Sequence, residues 1–249
     1  MEIKRKKYQG VLNILSFNRH FYIAGLLKLL VLIFTRFLFV WPEYLFPLVF
    51  TILMYGLLAP ILVSAYVYDF SGFYNFEWFK KLGFVDSKEQ VNLNIHSGFD
   101  ETSFIIKSIL SQSQLQVYDF YDPKEHTEPA IIRARKISQI FPGTQQIKTS
   151  SIPLNDKSVD NIFLIFAAHE IRNHKERIEF FKECKRVCKL NGNIILVEHL
   201  RDTANFAAFT IGFFHFFSKN TWTKTMKEAG IREIEELNFT PFIRIFKCR

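Results

Sequence analysis

Two patterns of apolar and polar positions divide the chain. Residues 21–67 are apolar almost without a break, whereas from residue 90 onward short apolar runs alternate with longer amphipathic ones. In the second region "VNLNI" (91–95), "LQVYD" (115–119), "VDNIFLIFA" (159–167) and "NIILVEH" (193–199) predict strands. Between them, "ETSFIIKSILS" (101–111), "EPAIIRARKISQIF" (128–141) and "KERIEFFKECKRVCKL" (175–190) have helical spacing, the last with Gly192 just past its end. Alternating β and α at this spacing predicts a parallel sheet covered by helices on both faces. The ending differs: a helix over 219–229 runs to Gly230, and strands over 231–239 and 241–248 follow with only Thr240 between them. That leaves no room for a crossover, so the last strand is expected to be antiparallel. The fold class is α/β, a Rossmann-like doubly wound and mostly parallel sheet with an antiparallel C-terminal strand.

The apolar block predicts an N-terminal helical hairpin, transmembrane or membrane-embedded. Residues 44–67 carry no charge and reach roughly 36 Å as a helix, enough for a hydrocarbon core of ~30 Å. Pro47 falls in the first turn and Pro60 is expected to kink the helix. Residues 21–40 hold Lys28 and Arg36, each costing roughly 2.5–3.5 kcal/mol in mid-span, although Arg36 can snorkel. A turn at "WPE" (41–43) would join the two, and a hairpin lying in one leaflet is the alternative to one that crosses. Lys4, Arg5, Lys6, Lys7 and Arg19 crowd the chain before the block, so the positive-inside rule puts both chain ends in the cytoplasm. The next stretch, "YVYDFSGFYNFEWFKKLGF" (66–84), reads as an aromatic collar at headgroup level, as a packed lid on the following domain, or as both at once. The expected organisation is a basic N-terminus (1–20), membrane-embedded helices (21–67), an aromatic linker (68–89) and an α/β domain (90–249).

Composition agrees with that division. Hydrophobic residues make up 49% and 29 are Phe, while 22% are charged, values that coexist only when the two kinds are segregated along the chain. The net charge of +8 is explained by anionic lipid beside the basic N-terminus and by solvated helix faces, so nucleic acid is not expected as a partner. Three cysteines, Cys184, Cys188 and Cys248, form no disulfide framework and suit a reducing compartment.

Sheets of this class bind ligands beyond the carboxyl ends of their strands, at the switch point beside the first. "IHSGFDE" (95–101) falls there, and Gly98 would let backbone N–H groups approach a ligand. Asp119, 21 residues on and closing "LQVYD", suits an acid that takes both ribose hydroxyls. The domain resembles the class I S-adenosylmethionine-dependent methyltransferases, of the type 11 kind. "SSIPLNDKSVDNIFLIFAAHEI" (150–171) is similar to the family's stretch around the fourth strand, and "FFKECKRVCKLNGNIILVEHLRD" (180–202) to its helix, turn and fifth strand. The resemblance implies S-adenosylmethionine as cofactor, with Asn94, His96 and Gly98 along its loop, Asp119 on the ribose, and Ser151 and Ile152 at the adenine. His96 and Asp100 stand where the family has glycines, and Asp100 reads most simply as a cap on the helix that follows.

Methyl transfer needs alignment, exclusion of water and, for many acceptors, removal of a proton. His96, His169 and His199 fall at strand ends around this site. A metal site built from the three is set aside and no metal is expected. His169, after the fourth strand, is the candidate base or hydrogen-bonding group, with Glu170 as its alternate. "EIRN" (170–173) resembles a Leu-Arg-Asn stretch of the ubiquinone and menaquinone C-methyltransferases. "HLRDTANFAAFTIGFFHFF" (199–217) would be a core helix or an apolar acceptor pocket opening on the bilayer. The expected function is a membrane-anchored methyltransferase, its domain on the cytoplasmic face, acting on a lipid-soluble acceptor such as a quinone precursor or other lipid. Two alternatives stay open: a tethered enzyme for a small-molecule acceptor, and a pseudoenzyme interaction module with a degenerate cofactor loop.

Overall fold

The computed structural model describes residues 5–125 and 129–249; Lys4 of the basic cluster and Glu128 of the expected 128–141 helix lie outside them. Three helices open the chain: α1 (Gln9–Phe17), α2 (Arg19–Leu38) and α3 (Leu45–Ser64). Both α2 and the helical run that α3 begins are long and apolar enough to cross a membrane, and only 11% of each is buried. They meet at Gly25, where a Cβ would stand 2.5 Å from Leu57 Cδ2, so a small residue sets the close approach. Pro60 sits inside α3, and one wide π turn (Ala65–Phe70) follows it. Asp69 on that turn accepts from the N–H groups of Gly10 (2.9 Å) and Val11 (3.1 Å). The carboxylate thereby caps α1 and holds the hairpin's exit against its entrance.

After a short α4 (Glu77–Lys81) the chain alternates as expected: β1 (Val91–His96), α5 (Ser103–Ile109), β2 (Gln114–Asp119), α6 (Pro129–Ile137), β3 (Gln145–Gln146), β4 (Val159–Ile165), α7 (His174–Val187) and β5 (Cys188–Glu198). Then come α8 (Thr203–Phe209), a 3₁₀ turn (Thr210–His215), α9 (Lys219–Glu228), β6 (Ile234–Asn238) and β7 (Arg244–Cys248). The sheet order is β3-β2-β1-β4-β5-β7-β6. The first five strands pair in parallel, and β7 is antiparallel to both β5 and β6. Buried asparagines fix register at the strands' starting ends: Asn161 Nδ2 donates to Asn92 Oδ1 (2.8 Å) and Asn193 Nδ2 to Asn161 Oδ1 (2.9 Å).

Strand residues alternate between two cores. Ile162 and Leu164 face Phe180, Phe181, Cys184, Trp222 and Met226 of α7 and α9. Phe163 and Ile165 face a second cluster that contains Phe73, Phe76, Trp78 and Phe79. Of the two expectations for residues 66–84, the packed lid is what these four side chains form: all are at most 3% exposed. Three sequence expectations are corrected. β3 was not foreseen, because its two residues are exposed glutamines without apolar signal. Gly192 lies within β5 and not past a helix end; a Cβ there would meet Asp160 O and Cys188 Sγ at 2.7 Å. Residues 199–217 are not a core helix, since Phe206, Ile211 and Phe214 are exposed.

Candidate active site

The carboxyl ends of β1, β2, β4 and β5 converge on two openings. A groove of about 930 Å³ beside β2 is lined by Tyr121, Arg135, Ile147, Lys148, Thr149 and Ser150 among others. A smaller cavity of about 200 Å³ lies over β4 and β5, between α1, the β1–α5 loop, Phe166, His169, His199 and Phe216. The β1–α5 loop separates the two. Gly98 in that loop has φ +77°, and a Cβ would stand 2.8 Å from Arg135 Nη1 and 3.0 Å from Tyr121 Cγ, so both conformation and space select glycine. Its N–H donates to Asp119 Oδ1 (2.8 Å), as does Tyr121 N (2.8 Å), while Arg135 Nη1 donates to Asp119 Oδ2 (2.8 Å). The strand-end acid is thus bound to the glycine loop by its own carboxylate.

Around the loop, polar atoms are buried without a hydrogen-bond partner among the described residues: both ring nitrogens of His96, Ser97 Oγ, Asp100 Oδ2 and Asn94 Oδ1. Each such atom costs about 1–3 kcal/mol, and their concentration at one loop fits a polar ligand. His96 stands 3.8 Å from Asp119 Oδ1 and 4.0 Å from Asp100 Oδ2, too far for hydrogen bonds. Asp100 Oδ1 accepts from Thr102 N and Ser103 N at 2.9 Å, the helix-capping role expected of it. Asn94 turns its amide away, to Ser103 Oγ (2.7 Å) and Thr102 Oγ1 (3.1 Å). Ser151 and Ile152, expected at the adenine, are not among the groove's walls; Ile152 is buried in the main core, its N–H held by Glu183 Oε2 (2.9 Å). Lys148 and Thr149 line the groove in their place.

At the other opening Glu198, the last residue of β5, accepts from His169 N (3.1 Å) and bonds His169 Nδ1 (2.7 Å). Burial alone would depress His169, but the charge of Glu198 and hydrogen bonds to Glu170 and Glu198 outweigh it and raise the pKa to about 10. With no cation at Nε2 the ring is therefore protonated at neutral pH and can donate to an acceptor oxygen, and a cation bound at Nε2 would displace that proton. His199 is the opposite case. Burial pushes it down to about 4, and both nitrogens are engaged within the protein, by Tyr68 Oη (2.7 Å) and Phe242 O (2.8 Å). Sequence reasoning missed Arg135, Glu198 and His215, whose partners come from other elements.

Residues 124–196 match the family described as the methyltransferase domain. Across nearly the whole fold, a protein of Nostoc punctiforme assigned as an O-methyltransferase is similar at 10% identity, with 96% of this chain and 72% of that chain covered and a TM-score of 0.53. A SAM-dependent methyltransferase of Aquifex aeolicus aligns at 19% identity over 72% of this chain and 92% of its own, TM-score 0.48. No curated protein matches in sequence. The α/β part of the chain shares the fold of that O-methyltransferase structure, and within it residues 124–196 match the methyltransferase-domain family.

Proposed function

We propose that the protein is a membrane-embedded S-adenosylmethionine-dependent methyltransferase that works at the cytoplasmic face on a lipid-soluble acceptor, such as a quinone precursor or other lipid. The family match and fold support methyl transfer, and the unpaired polar atoms of the β1–α5 loop support the cofactor. Gly98, His96, Asp100 and Asp119 would hold it, with Lys148 and Thr149 lining the adenosine end, Ser151 and Ile152 buttressing that wall, and Asn94 fixing the loop from behind. Arg135 is 41% exposed at its side chain and would swing off Asp119 to admit a ribose. Bound there, S-adenosylmethionine supplies a methyl group already made electrophilic by its sulfonium.

The acceptor class is carried by one observation, the join between α3 and the segment 203–217, which forms a lid over the cavity distinct from the packed segment 66–84. Phe216 of the lid walls the cavity, the lid's outer side chains Phe206, Ile211 and Phe214 are exposed, and Tyr55 Oη, midway along α3, donates to Ala207 O. A bilayer that takes up α3 takes up this apolar surface as well, and the cavity then opens from the lipid side. His169 and Glu170 would meet the acceptor's polar group, with Glu198 orienting the imidazole. The aromatic walls (Phe166, Phe216) would exclude water. Asp69, on the turn after α3, holds α1 by the N–H groups of Gly10 and Val11, which supports the domain and N-terminus sharing one side. Calorimetry on the full chain tests the cofactor: saturable binding of S-adenosylmethionine is expected, and its absence would leave the scaffold reading.

A further inference from the structure

We propose that His169, Glu170 and His215 bind one divalent transition-metal ion, of zinc's class, at the wall of the cavity. This deepens the acceptor side of the proposed function and departs from the sequence expectation of no metal. One ligand atom from each of the three lies within 4.8 Å of the others. His169 Nε2 is 3.4 Å from Glu170 Oε1, and His215 Nε2 is 3.8 Å from the same oxygen. A tetrahedral ion with bonds of 2.0–2.1 Å needs ligand atoms about 3.3–3.4 Å apart. The His169–Glu170 edge matches that, the Glu170–His215 edge is longer at 3.8 Å, and the third edge is at most 4.8 Å. Closing on an ion therefore requires the His215 ring to move inward.

Two further features belong to a built site. Glu198 Oε2 sits 2.7 Å from His169 Nδ1, which sets the tautomer with its lone pair on Nε2, the carboxylate–histidine–metal arrangement. Arg172 Nη1 donates to both His169 O (3.1 Å) and His215 O (2.7 Å), so one guanidinium holds the backbones of two ligands in register. Two imidazoles and a carboxylate form a donor set that suits zinc and its neighbours. Three protein ligands leave a fourth position open, as in catalytic sites. His169 also lines the cavity, so that position would take an acceptor's hydroxyl or enol oxygen. The acceptor class narrows to lipids bearing an ionisable oxygen. The cysteines do not compete, since all three are buried in the fold.

Cobalt(II) titration of the untagged full chain in detergent tests this, read by the visible d–d bands of tetrahedral cobalt and competed with zinc. One equivalent is expected, displaced by zinc, with affinity lowered at least tenfold in His215→Ala. Glu198→Gln, which touches no ion, should weaken binding roughly 10- to 100-fold. Thermal melting of each variant without metal separates loss of ligand from loss of fold. Absence of the bands in the wild type, or equal affinity in a folded His215→Ala, overturns the site. Binding of S-adenosylmethionine, measured on the same samples, judges the cofactor reading separately: metal bound without it leaves the site standing, and cofactor bound without metal refutes the site alone.

Discussion

Asp119 draws three hydrogen bonds onto one carboxylate, and that economy sets what its neighbours do. Two of the donors are backbone N–H groups that shape the glycine loop; the third, Arg135, occupies the oxygen a ribose would need. Hydrogen bonds to charged groups are worth about 1.5–3 kcal/mol. Asp119→Ala should therefore lower affinity for S-adenosylmethionine roughly 10- to 100-fold, through lost ribose contacts and a loosened loop. Arg135 competes for the same oxygen from a half-exposed position, where ion pairs are worth at most about 1 kcal/mol, so Arg135→Ala should raise affinity several-fold by calorimetry. A fall in Arg135→Ala would mean that the guanidinium binds the cofactor and does not block it. His199 supplies a pH dependence. Its folded pKa of about 4 lies below the ordinary ~6.5, so the unfolded chain takes up the proton first. Stability is then full above pH ~6.5 and is lost as pH falls toward 4, by about 3 kcal/mol in all. Denaturant unfolding from pH 7 to 4 should show this slope, and His199→Gln should flatten it.

Among the elements, the aromatic run after α3 has the most direct test. Trp78 is fully buried between Phe73, Phe76 and Phe79, with its indole N–H on Phe73 O (3.2 Å). Trp78→Ala should cost about 3–5 kcal/mol of domain stability; an unchanged melting temperature with weakened membrane binding would favour the headgroup collar. The sequence carried the β/α alternation well, because strands such as 159–165 are buried on both faces and helices such as 174–187 keep one apolar stripe. It carried β3 not at all, since Gln145 and Gln146 gain their place only by pairing with Tyr118 and Asp119. Gly192 misled because a glycine behind an amphipathic helix looks like a C-cap, while its actual constraint is the approach of the Asp160 carbonyl. The candidate residues that sequence alone points to, Gly98, Asp119 and His169, are those whose placement follows the chain from strand end to loop. Candidates placed across the chain were illegible: Glu198 reads as one more strand residue, and His215 as a polar break in a run of phenylalanines.

At the scale of the whole molecule, the hairpin, the lid and the sheet act as one assembly. Asp69 ties the turn after α3 to α1, Arg133 Nε donates to Phe17 O (2.6 Å) and so ties α6 to the end of α1, and the lid meets α3 where Tyr55 Oη donates to Ala207 O. The proposed cytoplasmic orientation has a direct test: with all native thiols buried, an exposed Lys88→Cys should react with a membrane-impermeant thiol reagent only after cells are permeabilised. Labelling of intact cells would reverse the topology. The central claim is methyl transfer to an acceptor held in the lipid phase. Its most direct test incubates the full chain, reconstituted in vesicles with a total lipid extract from cells lacking the protein, with S-adenosylmethionine radiolabelled in the methyl group. The account predicts label in an organic-soluble product that depends on His169 and on residues 21–67. Label that stays in the aqueous phase, or appears only on soluble small molecules regardless of the hairpin, would contradict it.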